Sequence, residues 1–71
     1  MNSVNISGLS VEMGIQKIKE QLSKDPDAVM VTTDSADFVK PIAKAIGSLG
    51  YRFEMWPAEG VLICVFTRLK L

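Results

Sequence analysis

Residues 51–67 read Tyr51-Arg52-Phe53-Glu54-Met55-Trp56-Pro57-Ala58-Glu59-Gly60-Val61-Leu62-Ile63-Cys64-Val65-Phe66-Thr67. The first six alternate, with Tyr51, Phe53 and Met55 on one side and Arg52, Glu54 and Trp56 on the other. That period of two is a half-buried strand. Pro57-Ala58-Glu59-Gly60 is a run of turn formers and predicts a four-residue hairpin connection. From Val61 to Phe66 nearly every residue is apolar, as in a strand interior to a sheet with apolar contact on both faces. The chain therefore closes on a hairpin, and the rest must supply its neighbours.

Working back toward the N-terminus, Gly50 is placed to stop a helix running from about Ala36 to Leu49. Its stripe is Phe38, Ile42, Ala45, Ile46 and Leu49. Pro41 is tolerated only in a first turn, so residues 35–39 read as a separate short turn and the main helix starts near Lys40. Ala28 to Thr33 is a β-rich run without clean alternation. Before it, Asp25-Pro26-Asp27 ends another helix, because the residue preceding proline is pushed out of the α region. That helix begins at Val11 behind the N-cap Ser10, with Glu12 at the positive end of the helix dipole. Val11, Ile15, Ile18 and Leu22 form its apolar stripe, and Gly14 predicts close packing near its start. Asn2 to Ile6 alternates as a short strand.

The order is β-α-β-α-β-β, a single domain over residues 1–71. Two helices with one apolar stripe each cover one face of a four-stranded sheet, and right-handed crossovers put both on the same side. The expectation is an α+β two-layer sandwich with one sheet face bare. Trp56 points to the side opposite Tyr51, Phe53 and Met55. Either Val61, Ile63 and Val65 or Leu62, Cys64 and Phe66 share its face, and both sets are apolar. An apolar outer face predicts a protein partner or a homodimer seated on it.

Composition excludes several chemistries. The chain has 71 residues, eight Lys+Arg against eight Asp+Glu, no His and one Cys. No His/Cys metal cluster or internal disulfide can form, and the commonest general base is missing. No metal or cofactor is expected. Asp34, Asp37, Glu54 and Glu59 read as caps and surface charge, and no glycine-rich phosphate loop occurs. Lys17, Lys24, Lys40 and Lys44 are interspersed with Glu12, Glu20 and Asp37, which reads as a solvated face rather than a nucleic-acid surface. Cys64, mid-strand between Ile63 and Val65, reads as a small core hydrophobe. No run of about 20 apolar residues is present to span a membrane. Met1-Asn2-Ser3-Val4 has no basic segment leading into an apolar stretch, so a cytoplasmic protein is expected.

Over nearly its whole length the chain resembles the TusA/SirA-like sulfur-carrier family. The segments that carry the resemblance are Val4-Asn5-Ile6-Ser7-Gly8-Leu9-Ser10, Val31-Thr32-Thr33-Asp34-Ser35, Ile46-Gly47-Ser48-Leu49-Gly50-Tyr51 and Val61-Leu62-Ile63. The resemblance implies a mixed sheet of strand order 1-2-4-3, with the fourth strand antiparallel to the others. It also implies a Cys-Pro-x-Pro sequence opening the first helix, whose thiol carries a persulfide to a partner. Here those positions hold Val11, Glu12, Met13 and Gly14, so the Cys and both prolines are absent. The reading that follows is a sulfur-carrier-like domain without its carrier thiol and without catalysis of its own, acting by protein contact through Trp56, Ile63 and Val65. Val11, Glu12, Met13 and Gly14 form a second contact surface in this reading. Sulfur transfer through Cys64 is one alternative. RNA binding, known for a translation-factor domain of the same strand order, is another.

Overall fold

The computed structural model describes residues 2–70, and Met1 and Leu71 lie outside them. The sequence after Thr67, Arg68-Leu69-Lys70-Leu71, reads as the end of the last strand, and its final residue Leu71 lies outside the described residues. Strands β1 (Asn2–Asn5) and β2 (Ala28–Thr33) flank helix α1 (Val11–Leu22). A 3-10 turn (Ala36–Phe38) leads into α2 (Val39–Gly47), followed by β3 (Tyr51–Ala58) and β4 (Val61–Arg68). The sheet order is β1-β2-β4-β3. β1 pairs parallel with β2, while β4 is antiparallel to both β2 and β3. The architecture is the expected two-layer sandwich: a four-stranded mixed sheet with two helices on one side.

Burial identifies the covered face. Ile18 from α1 and Ile42 and Ile46 from α2 join Ile6, Val29, Val31, Cys64 and Phe66 in one core, each at most 1% exposed. Register explains why these strand residues share a face: Val29 sits opposite Phe66, Val31 opposite Cys64, and Phe53 opposite Phe66. The Phe53 and Phe66 rings lie 5.2 Å apart in a tilted arrangement. Gly14 is buried, and a Cβ there would stand 3.2 Å from Ile6 Cδ1, so α1 rests directly on the residue that follows β1. That close approach is the reason for a glycine inside the helix.

Two expectations about boundaries are corrected. The second helix ends at Gly47, so Leu49 leaves the stripe and is 53% exposed. The hairpin connection is Glu59-Gly60 rather than four residues, because Ala58 still pairs with Val61 and Gly60 makes the turn with φ +76°. Pro57 is accommodated within β3 because β3 is an edge strand. The separate short turn and the helix start near Lys40 are found as expected, with α2 beginning at Val39 and Pro41 in its first turn.

One tie was not legible in the sequence. Arg68, at the end of β4, donates from Nη2 to the carbonyls of Asp25 (2.6 Å) and Pro26 (2.7 Å) and pairs with the Asp25 carboxylate at 2.7 Å. It clamps the turn after α1, in which Asp25 holds a left-handed φ of 57°. The carboxylate is exposed and contributes little, so the two carbonyl bonds dominate. Arg68→Ala is expected to cost about 1–2 kcal/mol in chemical denaturation. The turn should also become the earliest site of proteolytic nicking.

Candidate functional site

The face opposite the helices carries the other parity of every strand. Register sets its rows: Ser3, Met30, Val65 and Glu54 in one, and Asn5, Thr32, Ile63 and Trp56 in the next. Ala28, Thr67 and Arg52 form a third row. The outward set of β4 is therefore Val61, Ile63 and Val65, while Leu62, Cys64 and Phe66 face the helices. No layer lies over this side among the described residues. Met30, Ile63 and Val65 remain partly exposed although they sit on central strands, and Trp56 is 48% exposed.

Met30, Val65, Ile63 and Trp56 thus form a contiguous apolar centre. Ser3, Asn5, Thr32, Thr67, Arg52 and Glu54 border it, and the pair Ala58 and Val61 extends it at the hairpin end. An apolar centre with a polar rim is the usual composition of a protein contact surface. Trp56, Ile63 and Val65, singled out in the sequence, are brought together. Met30 was missed. Its strand lacked visible alternation, and only pairing with Val65 shows that it belongs to the outer set.

Val11, Glu12, Met13 and Gly14 lie in the other layer, at the start of α1 and at the end of the sheet where β1 and β2 finish. Ser10 caps this end: its Oγ accepts from the Met13 N–H at 3.2 Å, and its carbonyl accepts from the Gly14 N–H at 2.9 Å. Val11 is half-buried, and Glu12 and Met13 are exposed. Gly14, grouped with them as a contact residue, is corrected: it is buried against Ile6. The helix start is an ordinary capped terminus, with the hydrocarbon side chain of Val11 at its first position.

Cys64 is the one thiol, 1% exposed and on the helix-covered face. Burial pushes its pKa above the ordinary value of 9.0 and reduces its thiolate fraction. Its cross-strand neighbours, Val31 and Met55, carry no charge to offset that burial. Stability has a corresponding pH dependence. Above about pH 9 the unfolded thiol ionises while the folded one keeps its proton, so the folded state loses stability as pH rises. The stability advantage of wild type over Cys64→Ala is expected to be constant below pH 8 and to shrink above pH 9. Urea denaturation of both proteins across that range measures it.

Among the described residues there is no pocket and no group of three or more residues able to hold a metal ion. No described helix is long and apolar enough to cross a membrane. Searches of protein-family models, curated proteins and solved structures find no match to this chain.

Proposed function

We propose that this protein is a sulfur-carrier-like domain of the TusA/SirA type that has no carrier thiol and works by binding another protein of a sulfur-relay system. The observation that carries the reading is the pairing of two features on one frame: Val11 at the helix start, and the uncovered apolar centre of Met30, Trp56, Ile63 and Val65. The first leaves no sulfur chemistry at the position where the resemblance places it. The second offers a docking surface that needs none. Strand order 1-2-4-3 with β4 antiparallel is compatible with this frame, though a fold by itself does not assign a function.

Affinity capture with the purified protein as bait tests the reading. Wild type is expected to retain a defined partner that itself carries a reactive thiol or persulfide, and Trp56→Ala with Ile63→Ser is expected to lose it. Equal retention by both baits, or a partner with no sulfur chemistry, overturns it.

The competing reading, sulfur transfer through Cys64, requires a reachable thiolate. Burial of Cys64 weighs against it in the free protein. Alkylation is expected only after denaturant is added, and rapid labelling of the native protein would favour the competitor. RNA binding has the balanced charge of the chain against it. Its minimum requirement is salt-sensitive retention on an RNA column.

A further inference from the structure

β3 is an edge of the sheet, with β4 on one side and no described strand on the other. Which of its backbone groups face outward follows from one bond. The Leu69 N–H donates to the Gly50 carbonyl at 2.9 Å, so residues 50 and 69 form a hydrogen-bonded pair. Antiparallel ladders alternate, so Arg52, Glu54 and Trp56 direct their N–H and C=O groups toward β4, through their partners Thr67, Val65 and Ile63. The Arg68 N–H, which donates instead to the Asp27 carbonyl on the β2 side at 2.9 Å, agrees with this phase. Tyr51, Phe53 and Met55 therefore present free N–H and C=O groups to the open edge. Pro57, next in that phase, has no N–H to present and closes the available stretch.

The side chains along this edge are self-complementary. Arg52 and Glu54 lie two residues apart on the outer face, exposed and 3.2 Å from each other. Charges on an edge strand ordinarily block pairing with another chain. Here the two are of opposite sign and flank Phe53. An antiparallel pairing of β3 with a second β3, centred on Phe53, puts Arg52 of one copy opposite Glu54 of the other in both directions. These are non-hydrogen-bonded positions, where side chains come closest. In the same register Tyr51 faces Met55 on the helix side, and Met55, 45% exposed in one copy, gains a covering ring. Trp56 lies over Gly50. The neighbouring registers fail: centring on Arg52 opposes two arginines, and centring on Glu54 opposes two glutamates and sets Pro57 against the Tyr51 carbonyl with no donor.

We propose that two copies of this chain pair antiparallel along β3, centred on Phe53, and join their sheets into one continuous sheet about a twofold axis. This contact is the edge, not the apolar face, so the face stays free on both copies for the partner proposed above.

Sedimentation across a dilution series from about 1 mM to about 1 μM tests it, with single and mixed charge reversals. Wild type is expected to pass from dimer to monomer within the series. Arg52→Glu alone and Glu54→Arg alone should each dissociate at least about tenfold more readily, because each opposes like charges in both rows. An equimolar mixture of the two should recover association. The acid introduced at position 52 of one chain then faces the base introduced at position 54 of the other, and the native Glu54 of the first chain faces the native Arg52 of the second. Recovery in the mixture does not depend on the ion pair within one strand, which stays broken in both variants. Amide exchange supplies a second readout. The Phe53 and Met55 amides should gain protection with concentration, while those of Arg52 and Glu54 should not change. Ile63→Ser should leave the dimer intact. A wild type that is monomeric throughout, single variants that associate like wild type, a mixture that does not recover, or edge amides indifferent to concentration would each overturn the proposal.

Discussion

Phe66→Ala is expected to remove about 3–5 kcal/mol of stability, the largest loss from any single truncation in this molecule. Phe66 is the largest fully buried side chain. It stands between Val29 on β2 and Phe53 on β3, so its ring joins the central strands to the edge strand. Removing it forfeits the transfer of an aromatic ring and the tilted contact with Phe53, and it leaves a cavity that the helices cannot fill without moving. A domain of 71 residues is stable by roughly 4–11 kcal/mol in all. The variant should therefore be partly unfolded at 37 °C and show a greatly lowered urea midpoint. Val65→Ala, one residue earlier on the same strand but facing outward, should cost about 1 kcal/mol or less because the side chain is not enclosed. Comparable losses at the two positions would contradict the assignment of faces.

The second large effect is on binding, with little change in folding. Trp56→Ala combined with Ile63→Ser is expected to weaken partner binding by about 2–4 kcal/mol, or roughly 30- to 1,000-fold, as truncation of a central aromatic anchor does. Trp56 and Ile63 are direct cross-strand neighbours, so one substitution pair removes the middle of the patch. Trp56 is half exposed and on an edge strand, and Ile63 is partly exposed, so the folded state should lose no more than about 1–2 kcal/mol. Calorimetry with the purified partner, together with circular dichroism of the free variant, separates the two quantities. A variant that binds as wild type would remove Trp56 and Ile63 from the contact.

Most of the fold was legible because each element carried its own local signal. Alternation in Tyr51–Trp56, the stripe Val11-Ile15-Ile18-Leu22, and Pro26 after Asp25 are all short-range patterns. The face of β4 was not legible. Val61–Phe66 is apolar at both parities, and a strand with no alternation has no intrinsic inside. Register decides it, by setting Phe66 against Val29 and Phe53. Met30 stayed hidden for the same reason. Leu49 was misplaced because a stripe continues on paper past the residue at which the backbone turns. Arg68 gave no signal at all: its partners, Asp25 and Pro26, are more than forty residues away in sequence and are bonded through their carbonyls, which every residue possesses. At the candidate site, Trp56, Ile63 and Val65 were legible as apolar residues without an assigned place in the core. Gly14 was named as a contact residue because of its position in the resemblance, although a glycine inside the helix had already pointed to the close packing that Ile6 supplies.

The central claim is that the helix-free face, and not the helix layer or Cys64, is where this protein meets its partner. A photo-activatable residue placed in turn at Val65, on the outer face, and at Lys17, on the solvent side of α1, tests this most directly in cells that make the protein. The expected result is a single crosslinked adduct from position 65, unchanged by Cys64→Ala, and none from position 17. An adduct from position 17 with none from position 65, or loss of the position 65 adduct on removal of the Cys64 thiol, would contradict it.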